Sequence, residues 1–296
     1  MTLYQERSAN MWKTAFLMAG FLAVVLVIGY AVAWYYSSPS MLYIAIAFAV
    51  GMNFYSYWFS DRQVLSMTNA RPASREEFFD FYTVTENLAI TAGMQTPKLY
   101  VIEDEAPNAF ATGRDEKHAV VCATTGLLAV LTRAELEGVI AHELSHIKNR
   151  DILLMTVAVV LAGFLAILAD MFLRVSSFGG SDRDSKGGGL LMILALVGIV
   201  LAPIAAQLMQ LAISRRREYL ADASGALLTR YPEGLASALA KIASYTGPMR
   251  HADHATAHLF IDDPFGDKKS NWLNRLFSTH PPTEDRIQQL LHPDGK

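Results

Sequence analysis

Between Lys13 and Asp61 the chain carries no Asp, Glu, Lys or Arg. Backbone inside a bilayer must satisfy its own hydrogen bonds, so a stretch of this kind is confined to helices. Ser37, Ser38, Pro39 and Ser40 divide it into two runs, 14–36 and 41–60. Each run is close to the roughly 20 residues that a helix needs to cross the hydrocarbon core. A third run, 152–174, is uncharged from Ile152 to Ala169, and a fourth, 188–213, is uncharged throughout. The pattern predicts four transmembrane helices in a lipid bilayer. Arg7 and Lys13 followed by an apolar run ending in Ala31-Val32-Ala33 imitate a cleavable signal. The aromatic belt Trp34-Tyr35-Tyr36 and the second run directly after it favour a retained span.

Ten basic residues, from Arg7 to Arg217, flank the spans on the side that holds the N-terminus and both polar segments. Arg174, Arg183 and Lys186 lie on the other side, in a Gly- and Ser-rich connection. The excess predicts that the first side is cytoplasmic. Composition narrows the reading further. With 52% hydrophobic and 18% charged residues, the chain is neither disordered nor typical of a soluble protein. A net charge of −3 provides no basic footprint, so nucleic acid is not an expected partner. Cys122 is the single cysteine, which excludes an intrachain disulfide and any multi-cysteine zinc cluster.

The expected organisation is a membrane hairpin over 1–60, a first polar segment over 61–151, a second hairpin over 152–214 and a second polar segment over 215–296. The two polar segments together make one domain's worth of chain, split by the second hairpin. In the first, a helix is expected over Ser74–Thr91 and strands over Lys98–Glu103, Ala109–Gly113 and His118–Thr124, the last two forming a hairpin. A further helix starts after Thr132, with Glu135 three residues on as in a capping box.

That helix contains His142-Glu143-Leu144-Ser145-His146. Residues four apart share a helical face, so the two imidazoles can bind one metal while Glu143 stands beside it as a general base. A catalytic zinc site takes three protein ligands, so a third must come from elsewhere. Glu218 in Arg215-Arg216-Arg217-Glu218-Tyr219-Leu220-Ala221-Asp222 is the candidate; read alone, it could equally pair with the adjacent arginines. Asp222, four residues later, could accept a hydrogen bond from a ligand imidazole. Asn149 and Asp151 either support the site or mark where the helix meets the headgroups. Both ligand helices read as extensions of spans three and four, which would put the metal just outside the bilayer.

The stretches Asn108-Ala109-Phe110-Ala111-Thr112-Gly113, Thr125-Gly126-Leu127-Leu128, His142–His146, Arg217–Asp222 and Ser278-Thr279-His280-Pro281-Pro282 together resemble the HtpX family of bacterial membrane metalloproteases. That family belongs to the gluzincin group, with the CAAX prenyl endopeptidases. The resemblance implies a mainly α, α+β zincin-like domain on a helical membrane anchor, one Zn2+ per chain, and Glu218 as third zinc ligand. It further implies an inner-membrane location, a cytoplasmic catalytic face, and cleavage of damaged membrane proteins and unfolded proteins in quality control and stress response. His280 and Arg286 become candidate oxyanion donors, or supports behind the metal ligands, by the same resemblance; the bland alternative is a Pro-marked turn with a helix-surface arginine. Asn108–Gly113 is a candidate substrate-binding strand, since a sheet edge can pair with an extended peptide, though an ordinary hairpin edge would look the same.

Two rival functions fit less well. An intramembrane-cleaving protease needs its motif inside an apolar helix, whereas Glu135, Glu137, Lys148, Asn149 and Arg150 surround this one. A transporter would need ionisable groups within spans or paired broken helices, for which Asp170 and Pro203 are thin support, and a catalytically silent scaffold would be expected to lack Glu143. His251, His254 and His258 share helical spacing and could form a second metal site, but Ala/His/Thr sequence after Gly247-Pro248 reads better as a loop.

Overall fold

In a computed structural model of the chain, the structure describes residues 3–178, 197, 214–250, 256–266 and 281–292. Helices α1 (Leu3–Tyr35) and α2 (Pro39–Met67) form the first hairpin, turning through Ser37 at φ 50°. Helix α6 (Asp151–Phe178) packs against both. Among the described residues, Ser8–Tyr35, Pro39–Met67 and Asp151–Asp170 are long and apolar enough to cross a membrane. The expected fourth span, 188–213, lies outside the described residues apart from position 197. Leu17, Phe21 and Val25 of α1, Ala49 of α2 and Leu154, Val157, Leu161 and Leu165 of α6 close together in one apolar cluster. Trp12, Phe16, Trp34 and Tyr43 point outward, as side chains facing lipid do.

The remaining elements build a second core. Strands β1 (Arg71–Pro72), β2 (Lys98–Ile102), β3 (Ala109–Thr112) and β4 (Val120–Thr124) form one sheet in the order β1-β2-β4-β3. The β2–β4 pairing is parallel, whereas β1–β2 and β3–β4 are antiparallel. The hairpin expected from sequence is therefore present, with β4 starting two residues late. Asp115 accepts from the N–H groups of Lys117 and His118 and folds Glu116–His118 into a 3-10 turn instead of strand. Helix α3 (Phe79–Ala92) also starts later than expected, because Ser74–Phe78 forms a turn in which Ser74 accepts from Glu77 and Phe78. It ends on Gly93, whose φ of 68° suits a residue without Cβ.

A short helix α4 (Thr125–Val130) leads into α5 (Arg133–Lys148), which runs through the middle of this core. Thr132 and Glu135 form the capping box, and Glu135 is held further by Lys241 at 2.7 Å and Ser237 at 2.6 Å. Helices α7 (Arg215–Thr229) and α8 (Pro232–Ser244) pack on it, and α9 (Thr283–Leu291) packs on those two.

One expectation is corrected. Helix α5 is not a straight continuation of the membrane helix that follows it. Helix α5 stops at Lys148, Arg150 adopts φ 59° in the left-handed region, and α6 starts afresh at Asp151. A left-handed residue ends a helix by turning the chain off its axis. Helix α7 begins after Ser214, which is extended, and the fourth span expected before it lies outside the described residues apart from position 197.

Candidate metal centre

His142 and His146 lie one turn apart on α5 and are 1% and 5% exposed, so both imidazoles are withdrawn from water. Glu218 comes from the first turn of α7, the helix that packs most closely on α5. Gly225 allows that approach: a Cβ there would lie 3.0 Å from the backbone nitrogen of His142. Among the described residues, His142, His146 and Glu218 are the one group of His, Cys, Asp and Glu side chains that could hold a metal. Nε2 of His142 lies 3.1 Å from Nε2 of His146 and 3.8 Å from Glu218 Oε2, and His146 Nε2 lies 3.5 Å from Glu218 Oε1. A tetrahedral zinc with ligands at about 2.0–2.1 Å would hold those atoms about 3.3–3.4 Å apart. The three separations straddle that value.

The opposite edges of the rings support the same fit. His142 Nδ1 lies 2.8 Å from Asp222 Oδ1, and His146 Nδ1 lies 3.0 Å from Asp151 Oδ2. A ring that donates from Nδ1 as a neutral imidazole presents a lone pair at Nε2. Two such lone pairs and a carboxylate converge on one point, an arrangement that a cation stabilises and that is otherwise repulsive. Burial opposes the charge on His146, but the hydrogen bond to Asp151 and the negative charges of Glu218, Asp151 and Glu143 outweigh it and raise its pKa to about 9.

Glu143 is 2% exposed, between the two histidines in sequence. Burial pushes its carboxyl above the usual range against the pull of His142 and His146, and Glu218 adds to the rise. The buried Cys122 thiol is raised by burial and by the Glu143 charge, which keeps it protonated.

Arg286, on α9, is 1% exposed and forks onto Asp222, with Nε 2.8 Å from Oδ2 and Nη2 2.7 Å from Oδ1. Its Nη1 donates to the Ile261 carbonyl at 3.1 Å. Burial raises the Asp222 carboxyl, but Arg286 and then His142 overcome it and bring its pKa to about 2. Arg286 therefore stands behind His142, on the Nδ1 side, away from where the ligand atoms converge. That geometry suits a residue that positions the imidazole and does not suit an oxyanion donor. His280, the other donor considered, lies outside the described residues, as do His251 and His254. His258 is buried in a short 3-10 turn and does not join the ligand group.

Asn108–Gly113 contains the edge strand β3, whose four residues are all buried, Thr112 against Thr156 of α6, and the first half of its outer edge is hydrogen-bonded by the chain itself. Asn108 Nδ2 donates to the Asp262 carbonyl at 2.9 Å, and the Ala109 carbonyl accepts from Ile261 N–H at 2.9 Å. Phe110 faces Cys122 across β4 in the register, and the outward backbone groups alternate along the strand, so those of Ala111 share the edge with Ala109.

Asn149 is buried at the end of α5, where its carbonyl accepts from Asn10 Nδ2 at 3.2 Å. The same Asn10 amide donates to Asp151 Oδ1, and Arg217 Nε approaches that oxygen to 3.6 Å. Sequence reading passed over Asn10 and counted Arg217 among the flanking cations. The available signal was a carboxamide placed just before a long uncharged run, where a polar side chain is costly without a partner.

The family model described as peptidase family M48 matches residues 77–294, a stretch that includes every ligand candidate. The chain belongs to peptidase family M48. Among its relatives is a protein named protease HtpX homolog from Caldanaerobacter subterraneus subsp. tengcongensis, 47% identical, the match covering 98% of this chain and 97% of the relative. Another, from Thermococcus kodakarensis and of the same name, is 49% identical over 95% of each chain. A solved structure, Ste24p of S. mikatae, superposes with a TM-score of 0.49 at 18% identity, covering 97% of this chain and 66% of that one. This M48 member is a membrane-anchored metallopeptidase that hydrolyses peptide bonds.

Proposed function

We propose that the metal is zinc, held by His142, His146 and Glu218, and that the protein cleaves damaged membrane proteins and unfolded proteins on the cytoplasmic side of a bacterial inner membrane. The observation that carries the reading is the convergence of two Nε2 lone pairs and a carboxylate 3.1–3.8 Å apart, each ring fixed from behind by a buried carboxylate. Two imidazoles and a carboxylate suit zinc. When bound, zinc supplies Lewis acidity to the attacking water and the scissile carbonyl.

The chain's own residues supply the proton traffic. Glu143 takes a proton from the attacking water and delivers it to the leaving amine nitrogen. A carboxyl with an elevated pKa suits both halves of that exchange. Asp222 and Asp151 keep Nδ1 of each histidine as the donor, so that Nε2 stays available as a ligand. An extended substrate would pair with the outward backbone of β3 around Ala111, with little dependence on side-chain identity. Because α5 gives way to the membrane helix α6 at Asp151, the centre lies next to the bilayer surface, within reach of loops and extracted segments. Four spans, two of them before the ligand helix, would leave both polar segments on the basic, cytoplasmic side.

The test is metal content and casein cleavage of detergent-purified protein, wild type beside Glu143→Gln and Glu218→Ala. The reading expects about one zinc per chain, retained in Glu143→Gln and weakened in Glu218→Ala, with cleavage lost in both. Equal cleavage by all three would refute it.

A further inference from the structure

The metal site is tied to the first membrane helix by one side chain. Asn10 lies near the start of the span Ser8–Tyr35, 141 residues before Asp151, and is 1% exposed. Its carboxamide NH2 has two protons and uses both. One goes to Asp151 Oδ1, and the other to the Asn149 carbonyl at 3.2 Å. Both neighbours are acceptors, so the NH2 must face them; a flipped amide would set oxygen against oxygen. Thr14, one turn on, anchors its hydroxyl on the Asn10 carbonyl at 2.8 Å.

The two acceptors lie on either side of Arg150, the left-handed residue that separates α5 from α6. Asn10 thus bridges the last turn of the ligand helix and the first residue of the membrane helix. Asp151 divides its oxygens: Oδ2 takes His146 Nδ1, while Oδ1 takes Asn10 and faces Arg217 from α7. A carboxylate that is 1% exposed needs such partners to satisfy its oxygens and hold its orientation. If Oδ1 lost its amide donor, the carboxylate could rotate about its own bond and the His146 ring would lose its fixed orientation.

We infer that Asn10 is a positioning residue of the metal centre, acting through Asp151 on His146, so that the seating of the first membrane helix sets how tightly the metal is held. This rests on the zinc reading above. A role limited to packing α1 against α6 would instead lower folding stability and leave the affinity of the folded protein for zinc unchanged.

The experiment measures zinc affinity of the full-length protein in detergent by competition with a chromophoric chelator. The variants are wild type, Asn10→Leu, Asp151→Asn and the double variant, with thermal unfolding recorded in parallel. Asn10→Leu keeps the side-chain shape and removes the donor. Partners behind a ligand imidazole typically change metal affinity by about 10–100-fold. The expected loss for Asn10→Leu is about 10-fold, the low end, because Asn10 acts one bond further out. In the Asp151→Asn background the same substitution should add little. Should Asn10→Leu fail to accumulate, Asn10→Asp replaces the donor by a third acceptor at the same position and should weaken zinc at least as much. Wild-type affinity in the folded variant would overturn the inference, as would an undiminished effect without the Asp151 charge. Wild-type protein that binds no zinc would instead sink the zinc reading itself.

Discussion

Replacing Arg286 by leucine removes the group that holds Asp222 and leaves its carboxylate buried, with His142 its remaining partner among the described residues. The magnitude follows from two lines. The depression of Asp222 from 3.8 to about 2 means that its surroundings favour the charged form by roughly 2–3 kcal/mol. Breaking a buried pair by removing one partner costs about 3–5 kcal/mol in general, because the surviving charge is uncompensated. Arg286→Leu should therefore lose about 3–5 kcal/mol in chemical unfolding of the detergent-solubilised protein. Its zinc affinity should fall about 10–100-fold as the His142 ring loosens. The decisive comparison is the double variant Arg286→Leu with Asp222→Asn, which has no charge left to strand. It should recover about half of the stability loss while zinc remains weakly held. A double variant less stable than Arg286→Leu would refute the stranded-charge argument, and wild-type zinc affinity in Arg286→Leu would show that Arg286 does not position His142.

Glu135 has a pKa of about 2 because hydrogen bonds from Lys241, Ser237 and Thr132 overcome the cost of burial. A depressed carboxyl stabilises the fold above its unfolded value of about 4.5 and loses that contribution as pH falls towards 2. Glu135→Gln should cost about 2–3 kcal/mol at neutral pH and flatten the acid limb of the stability profile; an unchanged limb would count against it. Gly225→Val forces methyl groups against the His142 backbone and should cost about 1–3 kcal/mol together with zinc affinity, measured by unfolding and chelator competition. Stripping zinc with a chelator should lower the unfolding temperature, and restoring it at 100 times its Kd should return about 2.7 kcal/mol. Identical melting of the stripped and reloaded protein would place the metal elsewhere.

Helical periodicity and hydropathy made the membrane hairpin, the ligand helix and its capping box legible, since each depends on residues close in sequence. The four-residue spacing of His142 and His146 has the same local character, and so does the turn that links Glu218 to Asp222. The joint at Arg150 was not legible, because a charged residue with positive φ has no reliable local marker. Arg286 was picked out as a candidate with its role left open: whether an arginine faces a substrate or the back of a histidine depends on packing between α7 and α9. Asn10 is the extreme case. Its partners lie 139 and 141 residues away, and no periodicity connects them.

The fork between Arg286 and Asp222 also bears on the order in which the protein becomes dangerous to its surroundings. Arg286 lies 64 residues beyond Asp222 and 144 beyond His142. Chains are made from the N-terminus, and segments fold as they emerge. While the ribosome is still adding α8, the ligand histidines already exist, but the clasp behind His142 does not. A hydrolase growing beside other half-made membrane proteins thus gains its fully braced centre only after most of its own synthesis is over, and a chain broken off early lacks the brace.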